Sequence, residues 1–463
     1  MRAAFKEVYS FDKKCYEEYK HTEDILMEHA AYEMALEIYK NVPKNSVVNI
    51  VAGPGNNGAD GVTLARILLG DYHVNLYMPL GAKSQMCKLQ LERFKAVGGI
   101  VEDKFHSCDC LVDAIFGSGL KRNLSDEIVS MINKMNHIKA FKIACDIPTG
   151  IDDNGNLRPI AFKADVTVTM GAEKISLYSD FAKDYIGEIK VANLGVSFTK
   201  YIDKCCYYVL EKEDLILPLR NKQNSHKRTY GHLGVLVGDK PGAGIMASLA
   251  AFNYGCGLVS IVNSEKCKVK SEIPYEIMKT DKLENFTALA FGMGMGDCFD
   301  EVLDDIVKLD IPMVVDADIF YKKDIKLFLN KKVVLTPHPK EFASLLKILG
   351  LGEYSVKEVQ EKRFELVEKF GEAYPHVVLL LKGANKIITY NKKLFIDSTG
   401  NVALAKGGSG DVLAGIIGSL LAQGWHPLKA AIHGSLAHSL AGKYEPNYSL
   451  TPMKIIQNLE KLN

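Results

Sequence analysis

The chain has 463 residues, of which 47% are hydrophobic and 24% are charged. This length predicts two or three domains, and the composition is typical of a soluble globular protein. Lys and Arg together number 57 and Asp and Glu 56, a balance that argues against a nucleic-acid or acidic-membrane partner. The ten cysteines form no C-x-x-C pair, and the N-terminus has no apolar segment of signal-peptide length. We therefore expect no zinc site, no membrane span and a cytoplasmic location.

Apolar and helical segments alternate through the first half of the chain. Apolar residues at helical spacing predict an amphipathic helix over residues 23–39. Apolar runs then predict strands at 47–52, 74–78, 111–116, 141–145 and 166–170. Strands separated by helices favour a mostly parallel sheet that is covered by helices.

A glycine-rich loop follows the first of these strands. Gly53, Gly55 and Gly58 have the G-x-G-x-x-G spacing that places backbone N–H groups against phosphate. Ordinary dinucleotide-binding folds also have an acidic residue about 20 positions later, but the segment HVNLYMPLG contains none. Hydride transfer with NAD is therefore not predicted.

Polar side chains cluster at the ends of three predicted strands. Asn57 and Asp60 follow the first strand, Asp113 ends the second, and Asp146 and Thr149 follow the third. The carboxyl ends of neighbouring parallel strands form one crevice, so we expect these side chains to meet there. Simple turn formation is the alternative explanation for the Asn and Asp residues of the glycine loop.

The second half repeats the alternation after a mixed, charged segment at 201–227. Strands are predicted at 233–237, 258–262, 289–291, 313–315, 333–335, 377–381 and 386–390. Helices are predicted at 411–423 and 428–443, and a last helix begins after Thr451 with Pro452 in its first turn. The chain is thus predicted to contain two α/β domains, residues 1–210 and 211–463.

A second glycine-rich segment, KGGSGD, ends at Asp411 and precedes an apolar helix. Its glycines allow backbone amides to approach an anion, and the helix start adds partial positive charge. A plain N-terminal cap is the alternative role for Asp411. No G-x-x-x-x-G-K-[ST] motif is present, so a P-loop enzyme is not predicted.

Four segments of the first half, LMEHAA, GPGNNGADG, DAIFGSGL and DIPTGID, together resemble the N-terminal domain of NAD(P)H-hydrate epimerases. The resemblance covers most of residues 10–200 and implies a Rossmann-like three-layer domain. It also implies a potassium ion held by oxygens of Asn57, Asp113 and Thr149. The residues that it implies for binding of the hydrated nucleotide are Asn56, Asn57, Gly58, Ala59, Asp60, Gly117, Ser118, Gly119, Leu120, Lys121, Arg122, Asn123 and Asp146. Ala59 departs from the family pattern, which usually has glycine at that position.

Epimerisation of a hydrated nicotinamide ring needs a group that takes and returns a proton. Asp146 is our first candidate for this base and Asp60 is the second. Mutual repulsion between carboxylates in one crevice can tune their pKa values towards the working pH.

Motifs of the second half resemble ADP- or ATP-dependent NAD(P)H-hydrate dehydratases over roughly residues 215–460. These motifs are SHKRTYGHLGVLVGD, FGMGMG, DAD, LTPHPKEF, LKGANK and GNVALAKGGSGDVLAGIIGSLLAQG. The resemblance implies a ribokinase-like α/β domain in which Asp411 accepts a proton from the ring hydroxyl. ADP or ATP, with magnesium, would donate the phosphoryl group, and loss of phosphate would restore NAD(P)H. The residues implied for the hydrate are Ala243, Gly292, Gly294, His338 and Asp411. Those implied for the nucleotide are Lys382, Gly383, Ala384, Asn385, Lys386 and Gly410.

The combined prediction is a bifunctional isomerase and lyase that repairs hydrated NADH and NADPH. Its expected partners are small molecules and further copies of itself, with no nucleic acid and no membrane. The choices between ADP and ATP and between the two hydrates stay open. The alternative is a kinase for a pyrimidine or thiazole alcohol, preceded by a non-catalytic nucleotide- or RNA-binding module.

Overall fold

The computed structural model describes residues 1–263 and 272–462, which divide by their contacts into two units. One unit is Ala3–Cys206, and the other comprises Met1–Arg2 and the chain from Tyr207 onward. The sequence places the boundary after residue 210. In the structure the division comes earlier, because the strand Tyr207–Leu210 pairs with Lys393–Asp397 of the second unit.

The first unit is built on a parallel sheet. Its strands are β1 (Arg2–Phe5), β2 (Val47–Ala52), β3 (His73–Tyr77), β4 (Val101–Glu102), β5 (Cys110–Ala114), β6 (Phe141–Cys145), β7 (Val166–Met170), β8 (Glu173–Lys174) and β9 (Glu188–Ala192). Its helices are α1 (Tyr9–Glu17), α2 (Glu23–Asn41), α3 (Asn56–Leu68), α4 (Gln85–Ala96), α5 (Asp126–His137) and α6 (Phe198–Tyr201). The main sheet has the order β4-β3-β2-β5-β6-β7-β9, and each pair of neighbours is parallel. β1 and β8 also pair in parallel.

Helices cover both faces of this main sheet. Val48 and Ile50 of β2 pack with α2 and α3 in one apolar cluster, whereas Val51 of the same strand packs with α5 in another. Neighbouring residues of a strand point to opposite faces, so the sheet is the middle of three layers. The predicted three-layer α/β architecture is therefore confirmed. The five predicted strands form the interior of the sheet, and the two edge strands, β4 and β9, were not predicted.

The second unit is also α/β. Its strands are β10 (Tyr207–Leu210), β11 (His232–Leu236), β12 (Leu258–Val262), β13 (Met278–Thr280), β14 (Ala288–Phe291), β15 (Met313–Val315), β16 (Val333–Leu335), β17 (Val378–Leu381), β18 (Lys386–Tyr390) and β19 (Lys393–Asp397). Its helices are α7 (Pro241–Asn253), α8 (Phe299–Lys308), α9 (Pro339–Leu349), α10 (Val356–Glu361), α11 (Arg363–Ala373), α12 (Ser409–Ala422), α13 (Pro427–Ala441) and α14 (Pro452–Asn458). The strands from β11 to β17 pair in parallel, and β18 is antiparallel to both of its neighbours.

Helix α12 lies in the core of this unit and fixes the position of the KGGSGD segment. Nearly every residue from Val412 to Ala422 is buried. A Cβ atom at Gly415 would lie 2.1 Å from the carbonyl oxygen of Ala247, so α12 and α7 pack backbone against backbone. Among the described residues, no helix has both the length and the apolar character needed to cross a bilayer.

Candidate active sites

A cavity of about 1030 Å³ opens at the carboxyl ends of the strands of the first unit. Most of the residues predicted to bind a nucleotide line it. These are Asn56, Asn57, Asp60, Gly117, Ser118, Gly119, Leu120, Lys121, Arg122, Asn123 and Asp146. Gly58 and Ala59 do not line the cavity, although both were predicted to contact the ligand.

The glycine loop leads directly into α3, which begins at Asn56. The first helical hydrogen bond runs from the Ala59 N–H to the Gly55 carbonyl, at 3.0 Å. Ala59 is therefore a helical residue, and its buried methyl group packs in a cluster with Met27 and Cys87. Alanine in place of glycine at this position thus adds an apolar contact, and it lies beyond the turn that precedes α3.

Asp146 follows β6 and has a φ of 67°, a backbone conformation that is uncommon for a residue with a side chain and is often found at functional sites. Its carboxylate accepts hydrogen bonds from the Ser118 N–H at 3.1 Å, the Met170 N–H at 3.2 Å and the Lys174 ammonium at 2.6 Å. Burial raises the pKa of Asp146, but Lys174 and the backbone donors lower it by more. Its pKa therefore lies below the ordinary value, and the group is ionised at neutral pH.

Asp60 has the opposite environment on the same cavity. Burial, reinforced by the negative charges of Asp146 and Asp12, raises the pKa of Asp60 well above its ordinary value. The protonated form of Asp60 is therefore favoured. A pair of carboxyl groups with divergent pKa values is the arrangement that supplies a base and an acid at the same pH.

Asp113 and Thr149, two of the predicted potassium ligands, are in direct contact behind the cavity wall. Thr149 donates its hydroxyl to one carboxylate oxygen of Asp113 and its N–H to the other, both at 2.7 Å. The Thr149 hydroxyl oxygen also accepts the Phe116 N–H at 2.9 Å. The third ligand, Asn57, reaches towards Gly117, where its Oδ1 atom would lie 2.6 Å from an added Cβ.

The hydrogen-bond donors to Asp113 among the described residues are neutral groups: the backbone N–H groups of Thr149 and Ile115 and the Thr149 hydroxyl. Burial raises the pKa of Asp113 to about 6 even though these hydrogen bonds lower it. A buried carboxylate with neutral donors favours a cation nearby, and carboxylate, hydroxyl and amide oxygens are suitable ligands for a hard cation. These residues therefore fit a potassium ion.

The second unit brings Asp411 close to Lys382 and Asp316. A Cβ atom at Gly410 would lie 3.5 Å from the Lys382 ammonium and 3.8 Å from Asp316 Oδ2, and Lys382 donates to Asp316 Oδ1 at 2.7 Å. Burial, followed by the charge of Asp316, raises the pKa of Asp411 to about 6 although Lys382 lowers it. Lys382, Asp316 and Asp411 of the KGGSGD segment thus form one charged cluster.

His338 and Glu341 adjoin this cluster through Lys382. The Glu341 carboxylate lies 3.8 Å from the Lys382 ammonium. His338 caps helix α9, because its Nδ1 atom accepts the N–H groups of Lys340 and Glu341 at 3.1 and 3.3 Å. Its Nε2 atom then carries the proton and lies 3.1 Å from Glu341 Oε1. Burial, with some effect from Asp316, raises the pKa of Glu341 to about 7 despite Lys382.

The remaining predicted residues of the second unit fall into two groups. Ala243 and Gly294 are neighbours, with a Cβ at Gly294 only 3.3 Å from that of Ala243, and Gly292 packs against the Asp316 carbonyl. Gly383 and Ala384 are exposed, whereas Asn385 and Lys386 are buried. Lys386 forms an ion pair with Asp397 at 3.3 Å, so in this structure its ammonium faces the protein interior.

Comparison with known proteins supports the same division of the chain. A family profile described as NAD(P)H-hydrate dehydratase matches residues 233–461, and a profile described as YjeF-related protein N-terminus matches residues 23–176. The bifunctional NAD(P)H-hydrate repair enzyme Nnr of Helicobacter pylori is 43% identical over an alignment that covers 100% of both chains. The chain belongs to the family of bifunctional NAD(P)H-hydrate repair enzymes. The member from Dictyoglomus turgidum is 31% identical, with 98% of this chain and 96% of that protein covered. Among solved structures, an ADP/ATP-dependent NAD(P)H-hydrate dehydratase from Bacillus subtilis is 27% identical, covers 52% of this chain and 92% of its own, and has a TM-score of 0.43.

The family assignment confirms the predicted class of enzyme and favours it over the small-molecule kinase. The structure adds site residues that the sequence interpretation did not assign. In the first unit these include Lys174 and the cavity-lining residues Asp12, Tyr16, Glu23 and Lys83. In the second unit they are Asp316 and Glu341. Asp12 and Tyr16 precede the matched family segment. Asp316 and Glu341 lie in the motifs DAD and LTPHPKEF, in which the sequence interpretation gave these two residues no role.

The close approach inside the first glycine loop predicts a difference between two glycine substitutions. A Cβ at Gly58 would lie 1.9 Å from the Gly53 carbonyl oxygen, whereas one at Gly55 would meet nothing within 4 Å. We expect Gly58→Ala to destabilise the first unit by about 1–3 kcal/mol, as overpacking does, and Gly55→Ala to cost less. Thermal unfolding of the two variants measures this difference. Equal stability of both variants would show that the backbone contact relaxes.

Proposed function

We propose that residues 1–210 interconvert the R and S hydrates of NADH and NADPH, and that residues 211–463 dehydrate the S form at the expense of ADP or ATP. One observation supports this most directly: Asp146 and Asp60, with pKa values displaced in opposite directions, line one cavity. The cavity volume of about 1030 Å³ is at the upper end of small-molecule sites, which suits a dinucleotide.

Epimerisation inverts a ring carbon that has a hydroxyl group and is bonded to the ring nitrogen. The hydroxyl group leaves with a proton from an acid, assisted by the nitrogen lone pair, and water returns to the opposite face with loss of a proton to a base. Asp60, favoured in its protonated form, is the acid, and ionised Asp146 is the base. The proton taken up by Asp146 returns to Asp60 to complete the cycle.

Another part of the cavity lining is positively charged. Lys83, Lys121 and Arg122 line it together with the glycine-containing segment 117–123. Cationic side chains and backbone N–H groups suit the pyrophosphate. We assign the potassium ion to Asn57, Asp113 and Thr149, where its charge would stabilise the buried Asp113 carboxylate and so hold the loops at the two strand ends.

In the second unit Asp411 accepts the proton of the ring hydroxyl of the S hydrate as the phosphoryl group is transferred. ADP or ATP, bound with magnesium, supplies that phosphoryl group. Gly410 and Lys382 lie against the transferring group, and the exposed Gly383 and Ala384 are assigned to the nucleotide, whereas Asn385 and Lys386 are buried behind them. Ala243, Gly292, Gly294 and His338 are assigned to the hydrate. Phosphate then leaves, pushed by the ring nitrogen lone pair, and the nicotinamide is restored.

Asp411→Asn should abolish dehydration and leave epimerisation intact. Removal of a general base commonly costs about 100- to 10,000-fold in rate. In the wild type, the dehydration rate should fall as the pH drops through about 6, because Asp411 accepts a proton only when ionised and its pKa is about 6. NADH absorbance with pure S hydrate measures both effects. The matched control is Asp305→Asn, whose exposed carboxylate lies on α8. Rapid NADH formation by Asp411→Asn would contradict the assigned mechanism.

Asp146→Asn should divide the recovery of a mixed hydrate pool into two phases. The wild type should return nearly all of the R and S pool to NADH at one rate. In the variant, the S fraction should return quickly and the R fraction only at the spontaneous rate of interconversion. The exposed carboxylate of Asp126, on α5, provides the control variant Asp126→Asn. A single phase at the wild-type rate for Asp146→Asn would make Asp60 the base or reduce the first unit to a binding module.

Replacement of potassium by tetramethylammonium at equal ionic strength should give a milder form of the same two-phase curve. A ligand that binds only the folded state also stabilises it, by about 2.7 kcal/mol at a concentration 100 times its Kd. Potassium should therefore raise the unfolding temperature of the first unit, and Asp113→Asn should remove that increase. The potassium assignment is wrong if the ion changes neither the epimerisation rate nor the unfolding temperature.

A further inference from the structure

Lys174 is a buried cation at the wall of the first cavity. It lies on the two-residue strand β8 and is only 1% exposed. Its ammonium donates to Asp146 Oδ1 at 2.6 Å, to the Thr169 hydroxyl at 2.9 Å and to the Met170 carbonyl at 3.2 Å. All three N–H bonds therefore have acceptors, and the side chain is fixed in place.

The surroundings of Lys174 are acidic. Besides Asp146, the cavity is lined by Asp12, which accepts the Tyr201 hydroxyl at 2.7 Å and whose pKa burial raises to about 6. Asp60 lines the same cavity, and the Cys145 thiol lies 4.0 Å from its Oδ2 atom. The titratable groups of neighbouring elements that interact electrostatically with Asp146 are Asp12 on α1, Asp60 on α3, Cys145 on β6, Tyr201 on α6 and Lys174 on β8.

We propose that Lys174 is a positioning residue that decides which carboxyl group acts as the base of epimerisation. Its ion pair holds Asp146 as an oriented carboxylate, while Asp60, with no cationic side chain among its described contacts, keeps the proton. The inference rests on the role proposed for Asp146 in the epimerisation.

The physical reason is the competition between burial and charge. A buried carboxyl group without a cation is favoured in its neutral form, and two such groups close together cannot both ionise. An opposite charge within about 4–6 Å lowers the pKa of a carboxyl group by about 1–3 units. Without Lys174, burial would shift Asp146 towards its protonated form as well, and over a wider acidic range neither carboxyl group could accept a proton from the substrate.

The test is the pH profile of epimerisation in Lys174→Met and Lys174→Gln, both in the full chain. Chromatography of the R and S hydrates, without added nucleotide, follows epimerisation independently of the second site. We expect the acid limb of the profile to move up by about 1–3 pH units in both variants. The rate lost on the acid limb, about 10-fold per unit of displacement, should return as the pH rises above the displaced limb. Gln retains a hydrogen-bond donor without the charge, so comparison of the two variants separates the effect of the charge from the effect of the hydrogen bond.

The matched control is Lys142→Met, which removes a half-buried lysine of β6 that donates to the Asn136 carbonyl at 2.8 Å and does not line the cavity. Its acid limb should stay in place. The S-hydrate dehydration rate of each variant reports whether the second unit remains folded. If Lys174→Met fails to fold, Lys174→Gln and the smaller perturbation Thr169→Val decide, with a smaller upward shift expected for Thr169→Val.

Two results would overturn the inference. A rate loss that is equal at every pH would mean that Lys174 only supports the fold, and an unchanged rate would mean that its charge is not needed. Failure of the proposed function gives a different result, because Asp146→Asn would then epimerise at the wild-type rate. If Asp146→Asn does not epimerise and the acid limb of Lys174→Gln does not move, the role of Lys174 is rejected and that of Asp146 stands.

Discussion

The in-register parallel pairing of β2, β5 and β6 is the constraint on which the first site depends. Ala52 at the end of β2 lies beside Ala114 of β5, and Asp113 lies beside Ala144 of β6. The chain segments that leave these strands therefore begin at the same level of the sheet. The start of α3, the segment 117–123 and Asp146 converge for this reason, although up to 90 residues separate them in the sequence.

The same constraint explains which parts of the fold and site could be predicted. Interior strands are buried on both faces and form continuous apolar runs, whereas the edge strand β9 reads EIKVA and is half exposed. Asp60 and Asp146 follow interior strands and Asp113 lies near the end of one, so the strand-end rule located them. Lys174 lies on a strand of two residues. No local pattern in the sequence connects it to Asp146.

The second site shows a similar limit. Asp411 was located because glycines mark the start of α12, but Asp316 and Glu341 reach it through Lys382 from separate strand ends. The segment KGANK offers two lysines to a nucleotide, and sequence alone does not distinguish their directions. The structure directs Lys382 to the charged cluster and buries Lys386 against Asp397, whose pKa the Lys386 charge and several hydroxyl donors hold far below its ordinary value despite burial. The imidazole of His338 is partly committed to capping α9.

The two sites arrange buried carboxyl groups differently, and the difference matches their chemistry. Lys382 is shared by Asp316 and Glu341, and Asp411 keeps a pKa of about 6, close to the value that makes an effective base near neutral pH. Lys174 is paired with Asp146 at 2.6 Å, which lowers the pKa of that carboxylate and makes it a weaker base. Departure of the hydroxyl group in epimerisation leaves positive charge on the nicotinamide ring, and a fixed, fully ionised carboxylate stabilises that charge. Phosphoryl transfer instead requires that a hydroxyl group lose its proton as it attacks. On the proposed assignments, a tuned base is therefore needed in the second unit, and a carboxylate that is ionised when the hydroxyl group leaves, beside a protonated acid, is needed in the first.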